Sequence, residues 1–202
     1  MMYKRMDVFR TEDQRQPLFL PFILLFMLLI VGVVMGSVLT VHFDFFESLS
    51  FSPMLFSGIP VLDHGIVNCF TSYLCNIFIS LTLLMLMGMT LFGTITIPIY
   101  VLIRGVLSAI RILSFFPAGE MHNVAQSAII YTPYLSLSSL IILLYAAAAM
   151  GFSTQLTKSS LRKEIKDSDP QGLFSKYLTA LIFAVAASFM GIILVFIYSM
   201  LI

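Results

Sequence analysis

Residues 73–116 read YLCNIFISLTLLMLMGMTLFGTITIPIYVLIRGVLSAIRILSFF, an almost unbroken apolar run. As a single helix, at 1.5 Å per residue, it would reach about 65 Å. A lipid bilayer offers only ~30 Å of hydrocarbon. The run therefore reads as two crossings folded back on each other. The expected turn is Gly93-Thr94-Ile95-Thr96, with Pro98 opening the second arm, because Thr is a usable N-cap and Pro suits a first helical turn. That second arm also carries Arg104 and Arg111, while no apolar run of the chain holds an Asp or Glu. Two arginines without carboxylates inside a membrane span call for an explanation, since ionisable groups at that depth are expensive.

The totals agree with a membrane setting. Hydrophobic residues make up 59% of the 202 and charged residues 10%, with a mean hydropathy of +1.02. A soluble domain carries about 25% charged residues, so this chain has too few to cover a water-facing surface. The net charge of +1 implies no nucleic-acid partner. The fold expected is an all-α integral membrane protein, a polytopic bundle of about five transmembrane helices, with membrane lipids as its first partners.

Working outward from the hairpin gives spans at about 17–41, 72–92, 96–116, 124–152 and 176–202. Residues 1–16 form a tail, 42–71 an outer loop and 154–176 an inner basic segment. The run after Gln16 is too long for a signal-peptide core and reads as a retained first helix. Charge placement orients the bundle. Lys4, Arg5, Arg10 and Arg15 lie in the tail, and Lys158, Arg162, Lys163, Lys166 and Lys176 in 154–176, whereas 42–71 holds Asp44, Glu47 and Asp63 and no Lys or Arg. By the positive-inside rule the N-terminus is in and the C-terminus out. A rival reading makes 73–103 one tilted span and 104–116 an interfacial helix; it would put the basic segment outside and is disfavoured. Short helices are expected near 44–51 on the outer leaflet and over 158–167, the latter ended by the DSDPQG turn.

Small residues form stripes on two helices. Gly32 and Gly36 stand in a GxxxG, and Ala180, Ala184, Ala187 and Gly191 follow one face of the last span. Such faces let membrane helices approach closely. They serve either packing within this bundle or contact with a partner's helix, a homo-oligomer included.

Few groups suggest chemistry. HExxH is absent, and Cys69 and Cys75 match no zinc or redox spacing and read as small apolar residues. All three histidines fall in the outer loops: His42 with Asp44, Asp63 with His64, and Glu120 with His122. Three His–carboxylate pairs on one side could hold a divalent metal, but none has helical ligand spacing, so a polar rim is the expected role. No metal, cofactor or catalytic set is assigned. Arg111 lies near the outer boundary and can snorkel. Arg104 lies close to the midplane. Its options are hydroxyls and carbonyls of this bundle (Tyr100, Tyr131, Tyr134, Ser136 and Ser139 being in supply), a lipid phosphate, or a carboxylate of another protein.

Several stretches resemble the stage II sporulation protein M family of endospore-forming bacteria. IVGVVMGSVL (30–39) is similar to the family's glycine-bearing end of helix one. GTITIPIYVLIRGVLSAI (93–110) is similar to its Gly, Pro and basic-Gly steps, here Gly93, Pro98, Arg104 and Gly105. YTPYLSLSSLIILLYAAAAMGFS (131–153) resembles its Pro-bearing helix, with Pro133. Arg111 and the outer histidines are not carried over. The resemblance implies a non-catalytic protein of the mother-cell septal membrane that gathers stage II sporulation proteins P and D, which cut peptidoglycan during engulfment. A membrane subunit of an ABC-type exporter is the alternative, with 154–176 facing an ATPase; a lipid-directed enzyme ranks third.

Overall fold

A computed structural model describes residues 19–42, 65–113, 132–162 and 170–201 of the chain, all of them helical except the turn at 89–92. The five helices are α1 (Phe19–His42), α2 (Gly65–Gly88), α3 (Gly93–Leu113), α4 (Thr132–Arg162) and α5 (Pro170–Leu201). Four of them are long and apolar enough to cross a bilayer, and α2 has a shorter apolar stretch, Tyr73–Gly88. The architecture is all-α with four to five long apolar helices, consistent with a polytopic membrane bundle. Its outer surface is apolar: Phe19, Leu20, Phe92 and Ile182 are each about 70% exposed. In water every such side chain would forgo ~1.5–3 kcal/mol of burial; in lipid that penalty disappears.

The chain turns between α2 and α3, so 73–103 is not one continuous helix. The turn lies at Met89–Phe92, earlier than Gly93–Thr96. The Thr90 amide and hydroxyl both donate to the Met87 carbonyl (3.1 and 2.7 Å), and the Gly93 amide donates to the Thr90 carbonyl (3.2 Å). The next helix is already under way at Ile95 and Thr96, whose amides both bond the Phe92 carbonyl at 2.9 and 3.0 Å. Pro98 therefore stands inside α3, where it removes one ladder bond, and does not open it. Neighbouring helices make such a proline tolerable in lipid. Gly93 is required by space: a Cβ there would meet the Met87 carbonyl and, at 2.7 Å, the Ser153 hydroxyl.

Helix ends elsewhere also differ from the apolar reading. α4 continues ten residues beyond 152, and Lys158–Arg162 are its last turn rather than a separate helix. The hydroxyls of Thr154 and Thr157 bond back to the carbonyls of Met150 and Ser153 (2.8 and 2.9 Å), so polar residues continue the helix without stranding their hydroxyls. α5 starts at Pro170, a residue suited to a first turn, so Pro170, Gln171 and Gly172 are helical and Lys176 lies within the helix. The predicted helix near 44–51, His64 and the residues Asp44, Glu47, Asp63, Glu120, His122 and Tyr131 lie outside the described residues, and His42 closes α1.

Packing divides into two bodies joined by α3 and α4. α1 lies closest against α3, while α2 packs on α5 and α4; the two hairpin arms, α2 and α3, have the least extensive contact of these pairs. The core cluster is formed by Leu25, Tyr73, Ile77, Leu81, Leu84, Ile97, Val101, Tyr134, Ile142 and the alanines Ala146–Ala149, among others.

Candidate functional site

Arg104 sits near the middle of α3 and is buried, at 3% exposure. It reaches across the hairpin. Its Nη1 donates to Ser80 Oγ at 2.5 Å and its Nη2 to Asn76 Oδ1 at 3.1 Å. Both acceptors are on α2, one helical turn apart, and both are buried. Ser80 in turn donates its proton to the Asn76 backbone carbonyl at 2.8 Å. A hydroxyl has one donor and two lone pairs; with the proton committed to that carbonyl, the lone pairs are left for the guanidinium. Nε of Arg104 has no hydrogen-bond partner among the described residues. No Asp or Glu occurs among those residues, so the cation is held by neutral acceptors of its own chain.

A hydroxyl of this bundle is the kind of partner the sequence suggested, but Ser80 and Asn76 are not the residues it pointed to. Tyr134 donates its hydroxyl to the Tyr73 carbonyl (3.0 Å) and Ser136 to the Pro133 carbonyl (2.8 Å). Sequence reading missed Asn76 and Ser80. The signal was present: they are the polar pair at i and i+4 in the other arm, and folding the arms about residue 91 places them level with Arg104. Arg111 stands in the last turns of α3, with its side chain outside the described part.

The glycines of the first stripe face α3. A Cβ on Gly32 would strike the Leu102 carbonyl and come within 3.1 Å of Gly105 Cα; one on Gly105 would come within 2.6 Å of the Leu29 carbonyl. Gly36 meets Val106 and Ala109 in the same way, with a Cβ 2.5 Å from the Val106 carbonyl. The α1–α3 seam is therefore a backbone-to-backbone contact. No protein-family model, curated protein or solved structure matches the chain.

The second stripe is internal at Ala184 and Gly191, whereas Ala180 and Ala187 border an apolar groove between α4 and α5. Ala184 and Ala187 are buried. Gly191 lies against the rings of Tyr73 and Tyr134, which are tilted by 44° with centroids 4.1 Å apart, and a Cβ there would come within 3.2 Å of Tyr134 Cδ2. Pro133 is in the first turn of α4, half-buried. At the opposite end of this three-helix group, Thr82 Oγ1 and Tyr177 Oη are 2.9 Å apart and Tyr177 packs edge-on to Tyr145. No group of three His, Cys, Asp or Glu occurs among the described residues, and Cys75 is a free thiol.

Chemically, this arrangement holds a charge still. An arginine side chain carries its charge throughout the physiological range, and here it is fixed between two acceptors that cannot take a proton from it.

Proposed function

We propose that the chain is a non-catalytic membrane scaffold. The observation that carries this reading is the fate of Arg104. The one charged side chain buried among the described residues is bonded to Ser80 and Asn76, so it fastens two helices rather than lining a path for a substrate. The glycines that could have received a partner's helix, Gly32, Gly36 and Gly191, are likewise met by the bundle's own helices. A partner then meets the scaffold at its outer apolar faces or at its extramembrane segments.

The resemblance to the stage II sporulation protein M family supplies a task for such a scaffold: holding peptidoglycan-degrading stage II sporulation proteins P and D at the septal membrane during engulfment. In that setting the basic end of α4 and α5 faces the cytoplasm, the N-terminus is in and the C-terminus out. The test is a pull-down of the tagged chain in mild detergent from sporulating and growing cells. Wall hydrolases recovered from sporulating cells support the reading, and deletion should stop cells at engulfment with the septal wall uncut. Recovery of an ATPase in place of hydrolases would replace it with the exporter-subunit reading.

A further inference from the structure

Between α4 and α5 an apolar groove of about 560 Å³ opens on the exposed apolar surface of the bundle. Its walls include Leu140, Leu144 and Ala148 on one helix and Ala180, Ala187 and Met190 on the other. From Lys176 to Met190 the α5 wall extends about 21 Å at 1.5 Å per residue. That is more than one leaflet, half of a ~30 Å hydrocarbon core. Lys176 lines one end and is exposed; it is the groove's only charged side chain. At the same end lies Tyr145, whose ring packs on Tyr177. Tyr145 is 3% exposed, and its hydroxyl has no hydrogen-bond partner among the described residues. A buried tyrosine hydroxyl ordinarily finds a partner.

We propose that this groove binds one anionic phospholipid, its phosphate on Lys176 and one acyl chain laid along the alanine wall. Apart from Lys176, Thr179 and Tyr145 the lining is wholly apolar, which is the surface an acyl chain covers. Charge argues for an anionic headgroup, because the groove's only cation, Lys176, stands at one end of an otherwise uncharged lining and membrane leaflets rich in acidic lipid attract such residues. The site is independent of what the scaffold gathers and needs only that the bundle sit in a bilayer.

The chain has no tryptophan, so a single reporter is clean. Phe183→Trp places it in the groove, and Ile182→Trp, 71% exposed and not among the groove's lining residues, is the control. Each full-length variant is reconstituted into vesicles containing phosphatidylglycerol or phosphatidylcholine with brominated acyl chains, and quenching is compared at equal mole fraction. The groove reporter should prefer phosphatidylglycerol by about fivefold, the control should show no preference, and Lys176→Gln should remove the preference while leaving the fold unchanged by circular dichroism. Equal quenching by both lipids at the groove overturns the proposal. So does a preference that survives Lys176→Gln, and so does absence of quenching by either lipid, which would mean that protein covers the groove.

Discussion

Helix α3 is held on two sides by opposite means. Against α1 the contact is made by what is missing: Gly32, Gly36 and Gly105 carry no side chain, and backbone meets backbone. Against α2 it is made by one long side chain, Arg104, bridging arms whose own packing is sparse. Lipid tails are as apolar as leucine, so burying apolar surface does little to drive helices together in a membrane. Close van der Waals approach and hydrogen bonds remain, and the two seams of α3 use one each. The glycine seam tolerates no added atom; the arginine seam tolerates no lost acceptor.

The largest expected effect comes from stranding the charge. Asn76→Ala with Ser80→Ala leaves a buried guanidinium without its acceptors and should destabilise the bundle by about 3–5 kcal/mol, read by unfolding in a detergent titration. Adding Arg104→Met to that pair should restore most of the loss, because replacing a whole buried polar set by apolar residues is often neutral. If the triple variant is as unstable as the double, the seam depends on shape and not on charge satisfaction. Next is the glycine seam. Gly105→Val should cost about 1–3 kcal/mol through overpacking and should weaken a cysteine cross-link engineered between α1 and α3, while leaving one between α2 and α5 unchanged. A smaller loss, about 1 kcal/mol, is expected for Ser153→Ala, which removes the donor to the Thr90 carbonyl (2.8 Å); thermal unfolding measures it. The smallest effect has the opposite sign. A Cβ on Gly151 meets nothing within 4 Å, so Gly151→Ala should stabilise α4 by up to about 1 kcal/mol. Destabilisation there would reveal a neighbour beyond the described residues.

The hairpin was legible because length alone forbids one crossing of 73–116. Its turn was placed late because Thr and Pro are strong local signals. The closing bonds depend instead on the Met87 and Thr90 carbonyls, and composition does not single those out. The same limitation hid the true ends of α4 and α5. Hydropathy marks where lipid ends, whereas a helix continues as long as its hydroxyls can bond back to its own carbonyls, as Thr154 and Thr157 do. Arg104 was conspicuous as a charge without a carboxylate. Its partners were not, because Asn76 and Ser80 acquire meaning only once the two arms are laid side by side. The stripe Ala184, Ala187, Gly191 was visible as a face, but the rings of Tyr73 and Tyr134 that pack against Gly191 come from two helices far apart in the chain.

The overhang of α4 sets an order in time. Ser153 donates to the Thr90 carbonyl 63 residues earlier, and Thr157 donates to the Leu91 carbonyl at 3.0 Å from 66 residues downstream. During synthesis the α2–α3 turn, closed by its own Thr90 and Gly93 amides, is therefore made long before these further donors exist. Until α4 arrives, the Leu91 carbonyl and the second lone pair of the Thr90 carbonyl have water as their partner, and the newborn hairpin should wait with its turn at the water boundary. A ribosome-stalled chain ending at residue 140 should accordingly be cut by protease at Met89–Phe92, and one extending past the whole of α4 should be protected there.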